Sequence, residues 1–273
     1  MDLANPTVSD GKLKSLLWVY GANHNQFNSV WASETPPAMT MPRLGQEQVA
    51  KVHLGALAQA LLLNRSGYRE VLRDHSVAVD WVPAGADVVS QYQDPRRFFI
   101  QHHQEGLGPP QISSPAQGTV ALDTLVAARQ AKDLIGAFAP TNVITLRLEW
   151  SNPRARCLLR VDPATVPAER YKALVLRVGQ AIEAKNAANR DQDFIIEVSS
   201  GSRTAAIPAS SVHRLLYPDV VFGAGKIVMQ TLRIPVKRLT KMGLHLSDLR
   251  ALSLVFNQRQ SGVLYFGDVQ LSD

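Results

Sequence analysis

What most constrains this chain is a series of short segments, from about residue 76 onward, in which apolar and polar residues alternate. The clearest is 143–150, VITLRLEW. Ile144, Leu146, Leu148 and Trp150 fall on one face of an extended strand, and Thr145, Arg147 and Glu149 fall on the other. Successive strand side chains point to opposite faces, so this pattern means one buried face and one wet face, as in antiparallel sheets. Strand-like runs also occupy 97–102, 156–162, 171–178, 194–199, 203–207, 228–236, 251–256 and 262–271, with Gly, Pro, Asn and Ser between them. Many short strands spaced in this way predict an all-β antiparallel sandwich of jelly-roll type. Residues 106–140 lack a clear period and read as a long loop. No internal repeat is present.

The first 75 residues follow another pattern. The compact apolar run at 13–20, LKSLLWVY, ends at Gly21 and reads as a buried strand of a parallel sheet. Val49, Val52, Ala56, Leu57, Ala60 and Leu61 recur at helical spacing; Pro42 suits the first turn and NRSG at 64–67 ends the helix. A shorter helix is expected at 68–74. The chain therefore divides into an α/β piece, 1–75, and a β-sandwich, 76–273. One strand and two helices cannot bury a parallel sheet alone, so this α/β piece reads as a fragment.

With 273 residues, 45% hydrophobic, the chain is long enough for one sizeable core or two smaller ones. The net charge is +6, but Lys and Arg are scattered rather than gathered into a run, so a nucleic-acid partner is not expected. The lone cysteine, Cys157, excludes an internal disulfide and a Cys-rich zinc site, and its setting in RCLLRV reads as a buried structural thiol. No apolar run reaches the roughly 18 residues of a membrane span. The N-terminal stretch is polar, without the apolar core of an export signal.

His24 is the sharpest chemical candidate. It lies just past the 13–20 strand, in GANHN, where a histidine at the carboxyl end of a strand can serve as general base and acid. Asn23, Asn25, Gln26 and Asn28 surround it, either orienting its loop or lining a polar pocket. His102, His103 and Glu105 would suggest a metal site, but adjacent histidines on a strand point to opposite faces, so no metal is expected there. Trp81 and Trp150 are candidates for stacking on a sugar ring, although Trp150 shares the apolar face of its strand. No cofactor is expected.

The stretches LLWVYGANHNQFNSVW and GQEQVAKVHLGALAQALLLNRSGYREVLRDH resemble the last strand, histidine loop and final helix of α/β-hydrolases. VDWVPAGADVVSQYQD is similar to the connector to an appended β-domain in a bacterial group of hydrolases. VMQTLRIPVKRL and LRALSLVFNQRQSGVLYFGDVQL resemble the closing strands of that domain, a galactose-binding-like or jelly-roll sandwich. The resemblance implies that His24 is a triad histidine in a serine hydrolase acting on an ester or amide, in a secreted or envelope setting. It also places Asp268 where similar sandwiches hold calcium, though no shell of oxygen ligands can be assembled around it. In such enzymes serine and acid precede histidine. Neither is here, and no GxSxG occurs, so the chain is expected to be inactive alone. The alternative is a carbohydrate- or polymer-binding sandwich, or a purely structural accessory domain. An exposed aromatic platform would favour binding, and an aliphatic face would favour structure.

Overall fold

The computed structural model describes residues 13–28, 41–102, 118–133, 142–221 and 224–273. Two compact units hold them, one comprising Leu13–Gln93 and Asp219–Ala224, the other Asp94–Pro218 and Gly225–Asp273.

The first unit contains β1 (Lys14–Val19), α1 (Arg43–Leu61), α2 (Arg69–Arg73) and β2 (Val88–Gln93). β1 and β2 pair antiparallel, Lys14 opposite Gln93 and Val19 opposite Val88. α1 buries Gln46, Val49, His53, Ala56 and Ala60, a stripe at helical spacing. Val49 packs with Val82, Val88, Leu17 and Val19, whereas Ala56 and Ala60 pack with Val71, Leu72 and Ala78. Beyond α1, Asn64 takes φ 51°, a left-handed conformation that asparagine tolerates better than most residues.

This arrangement overturns the α/β-hydrolase resemblance. β1 is no strand of a parallel sheet: among the described residues its neighbour is β2, which runs antiparallel, and all six residues of β1 are only half-buried. An apolar run shows that a strand needs cover, but not which way its neighbour runs. The described residues form mostly antiparallel β-structure with few helices.

The second unit contains β3 (Arg97–Gln101), β4 (Gly118–Asp123), β5 (Val126–Asp133), β6 (Asn142–Trp150), β7 (Arg156–Val161), β8 (Ala173–Gln180), β9 (Ile195–Ser200) and β10 (Arg203–Pro208). After β11 (Asp219–Val221), whose residues belong to the first unit, and β12 (Ala224–Lys226), come β13 (Gln230–Pro235), α3 (Val236–Lys241), β14 (Leu249–Val255) and β15 (Gly262–Ser272). One sheet has the order β10-β9-β14-β7-β4; the other has the order β13-β8-β15-β6-β5, with β3 also on β15. The chain shuttles between these sheets, and their inner faces share one core: a jelly-roll-like antiparallel sandwich. Cys157, Leu159, Ile196, Val198, Leu252 and Leu254 of the first sheet meet Leu146, Leu148, Leu176, Val178, Leu264 and Phe266 of the second. Burial pushes the Cys157 thiol up to about 12, so it stays protonated and unreactive at neutral pH.

Every strand expected from alternation is present, with ends shifted by two residues at most. The expected loop at 106–140 is a difference, because β4 and β5 fall inside it; 106–117 and 134–140 lie outside the described residues. Both are edge strands of their sheets. Edge strands are wetted on more sides and carry charge against edge-to-edge pairing, which erases the alternation.

Trp150 is core, 1% exposed, stacked on Phe256 at 4.5 Å and donating from Nε1 to the Arg259 carbonyl. Gly262 lies directly opposite it. A Cβ at Gly262 would overlap the Trp150 ring and reach within 2.7 Å of Gln192 Nε2. Gly262→Ala should therefore cost about 1–3 kcal/mol through overpacking. Gly55, in α1 with open space where its Cβ would go, should gain up to about 1 kcal/mol on Gly→Ala. Urea unfolding of the two variants checks this; equal effects would show that the ring does not need the glycine.

Candidate functional site

The outer face of the six-stranded sheet carries polar and charged residues beside a smaller apolar patch. Since Leu146, Leu148 and Trp150 enter the core, Thr145, Arg147 and Glu149 of β6 turn outward. By the same alternation, Thr231 and Arg233 of β13, Val175, Arg177 and Gly179 of β8, and Val263 and Tyr265 of β15 turn outward. The segment Ile227–Met229 closes over part of this face, with Met229 Sδ 2.9 Å from where a Cβ on Gly179 would be. Ala181, Ile227, Met229, Val263 and Tyr265 form a small second core there.

β15 carries a bulge. Phe266 pairs with Val178 and Val269 with Leu176, so Gly267 and Asp268 both stand against Arg177. The guanidinium of Arg177 and the carboxylate of Asp268 form a buried ion pair, Nε to Oδ1 3.5 Å, at 1% and 2% exposure. Thr145, Gln101 and Gln270 are buried beside this part of the sheet. The bulge marks where β15 changes partner, from β6 at Gly262–Phe266 to β3 at Val269–Ser272. Asp268 therefore faces Arg177, and among the described residues no group of three or more His, Cys, Asp or Glu is gathered for a metal.

Nearer the surface, six side chains form a linked network. Arg147 donates through Nε and Nη2 to the two oxygens of Glu183, at 3.3 and 2.5 Å, and through Nη1 to Glu149 at 2.6 Å. Lys185 bonds Glu149 and also donates to Ser151 Oγ at 2.9 Å, while Tyr265 donates its hydroxyl to Glu183 at 3.1 Å. The bond to Glu183, reinforced by Glu149, holds Arg147 charged beyond the ordinary arginine range. Lys185, and then Arg147, hold the Glu149 carboxyl below the usual carboxylate range. Alternation placed Arg147 and Glu149 on a wet face, but Glu183 and Lys185 come from the loop after β8, which strand patterning does not reach. That loop is fixed by Asn186, whose amide donates to the Ala181 and Val263 carbonyls at 2.7 and 2.8 Å and accepts from the Val263 N–H at 2.9 Å.

His24 opens a short 3-10 turn, His24–Phe27, and its side chain lies outside the described residues. Its reading as a triad base depended on a parallel hydrolase sheet, which is not the fold. Asn23 Oδ1 accepts from the Gln26 N–H at 3.0 Å and caps the turn, and buried Gln46 ties it down by accepting from the Asn23 N–H and donating to the Met41 carbonyl. Arg43 donates to the carbonyls of Asn25 and Asn28. His102 meets Phe99 edge-on at 5.5 Å; His103 and Glu105 lie outside the described residues. Trp81 is 54% exposed, in the first unit.

No protein-family model matches the chain, and no curated protein matches it. Among solved structures it is similar to a family 30 carbohydrate-binding module of a cellulosomal cellulase of Clostridium thermocellum, with 14% identity, 65% of this chain and 97% of that chain covered, and a TM-score of 0.38. A family 11 carbohydrate-binding module from Clostridium thermocellum, in complex with a mixed-linked tetrasaccharide, is similar over 65% of this chain and 95% of that chain, with 7% identity and a TM-score of 0.37. A xylan-binding domain of family 22 is similar over 66% of this chain and 97% of that chain, with 12% identity and a TM-score of 0.34. Overlaps this loose assign no ligand.

The Arg177–Asp268 pair makes its own test. Removing one partner strands a buried charge, so Arg177→Met or Asp268→Leu should each cost about 3–5 kcal/mol, while the double variant should recover most of that loss. Chemical denaturation of the four forms measures the coupling. Additive losses would mean that the two charges do not depend on each other.

Proposed function

We propose that the sandwich is a binding module for a polyhydroxylated polymer, a carbohydrate, taken on the outer face of the six-stranded sheet at its Arg147 end. The observation that carries this reading is the network of Arg147, Glu149, Glu183, Lys185 and Tyr265. Its charged members are between 14% and 42% exposed, so the network meets solvent while holding itself in place. Carboxylates and guanidinium groups fixed by one another lose little side-chain freedom when a ligand arrives, and their unused lone pairs and N–H groups can meet sugar hydroxyls. The fold supports this reading over hydrolysis: the triad reading needed a nucleophile elbow at the end of a parallel strand.

A structural accessory role is the second reading, favoured by one observation. Among the described residues the exposed aromatic rings, Phe27 and Trp81, lie in the first unit, and the large apolar side chains exposed on the sandwich are aliphatic: Leu122, Val126, Ile182 and Met242. Stacking on a sugar ring is therefore not the mode proposed; hydrogen bonding is.

Affinity electrophoresis against soluble β-glucans, xylans and galactans, followed by calorimetry on any that retard the protein, separates the two readings. The expected result is retardation by at least one polysaccharide and a loss of roughly tenfold or more in affinity for Arg147→Ala, the scale of one buried charged hydrogen bond. Arg156→Ala, on the opposite sheet and paired with Glu197, should leave affinity unchanged. Absence of retardation across the panel favours the accessory role. Binding that depends on Arg156 instead moves the site to the other sheet.

A further inference from the structure

The helical unit buries two imidazoles and a guanidinium together. His53, on the inner stripe of α1, is 6% exposed, and its Nε2 meets the Ser15 hydroxyl of β1 at 3.1 Å. His75, which opens the 3-10 turn after α2, is 7% exposed, and its backbone N–H donates to Ser90 Oγ of β2 at 2.9 Å. Arg73, at the end of α2, is also 7% exposed and stands over the Tyr92 ring of β2 at 5.2 Å. These three residues sit where α1, α2 and the β1–β2 ladder meet.

The carboxylates of α1 and of the α2 segment have partners. Glu70 is bound to Arg73 at 2.7 Å and is itself 46% exposed. Asp74 accepts from both the backbone and the hydroxyl of Ser76. Glu47 pairs with Lys51 on the exposed side of α1. Lys14 on β1 and Arg69 on α2 add positive charge, and Tyr68 and Tyr92 pack beside the inner stripe. A proton on His53 would put a new cation in a poorly solvated place, beside the Ser15 hydroxyl and a second imidazole rather than a carboxylate.

We propose that the helical unit is an acid-sensitive clip: when His53 takes up a proton, α1 parts from the β1–β2 ladder while the sandwich strands stay closed. The proposal does not depend on carbohydrate binding. Burial, and after it the charge of His75, lowers His53 to about 4, against 6.5 for an ordinary histidine. A base whose folded value is lowered contributes stability that is complete above its unfolded value and is lost as pH falls toward the folded one. The window for opening is therefore between about pH 6.5 and about pH 4.

Hydrogen exchange on the whole chain, corrected for the intrinsic effect of pH, tests this. Between about pH 7 and about pH 4, protection of α1 and of the β1–β2 ladder should fall roughly tenfold or more, while β8 and β15 keep theirs. In a His53→Leu variant the fall should vanish. Retained protection of α1 at the acid end, equal loss in the variant, or loss of β8 and β15 together with α1 would each overturn the clip. If the variant is not helical at neutral pH, an NMR titration of the imidazoles in the unaltered chain decides. His53 taking up its proton below about pH 5.5, together with the loss of protection, supports the clip; uptake above that point in the folded chain overturns it.

Discussion

The six-stranded sheet depends on a register change in β15. β15 pairs with β8 along most of its length and with β6 and then β3 on its other side, so it is the strand through which the six-stranded sheet is joined. Strict alternation over its eleven residues would send either Leu264 and Phe266 or Val269 and Leu271 to the wrong face, yet all four are in the core. The bulge at Gly267–Asp268 resets the alternation and lets both halves of the strand bury their apolar residues. Its local cost is an unpaired stretch of ladder and a buried carboxylate. Arg177 stands directly opposite and offsets that charge, so the ion pair at the centre of the polar face follows from the same irregularity that completes the core.

Much of this was legible in the sequence, because the sandwich strands that are buried on one face announce it by alternation. VITLRLEW fixes which residues of β6 enter the core before any neighbour is known. Alternation carries no information where a strand is wet on several sides, so β4 and β5 read as loop. It also says nothing about direction. LKSLLWVY needs cover whether its neighbour is parallel or antiparallel, and its likeness to a hydrolase strand supplied a direction that the fold does not have. The half-burial of β1 reflects a two-stranded ladder under a helix, where Ser15, Leu17 and Val19 meet residues of α1.

The candidate site was half legible for a related reason. Arg147 and Glu149 belong to a patterned strand, and their outward direction follows from Leu146 and Leu148. Their partners do not. Glu183 and Lys185 sit in a polar loop whose path is set by Asn186, a residue that borrows the backbone of Val263 as though it were one more strand. Such side chain-to-backbone substitutions obey no period, and only the folded chain brings 147, 149, 183 and 185 to one place. His24 shows the converse: a strand-end histidine is conspicuous in a sequence, but its significance came from the sheet assumed around it.

Buried polar groups are kept in two ways in this chain, and the way chosen decides how each group responds to acid. In the sandwich, charges are kept as charges and paired: Arg177 with Asp268, and Arg147 with Glu183 and Glu149. A carboxylate held below its usual range, as Glu149 is by Lys185 and Arg147, retains its partners until the solution is more acidic than an ordinary carboxylate would tolerate. In the helical unit the inner stripe of α1 holds an imidazole that is buried because it is neutral, beside a hydroxyl rather than an acid. Pairing protects a charge against acid, whereas neutrality by burial makes a group vulnerable to it. In the proposed clip the helical unit therefore answers to acid through His53, whereas Glu149 on the sheet face keeps its charge to lower pH than an ordinary carboxylate.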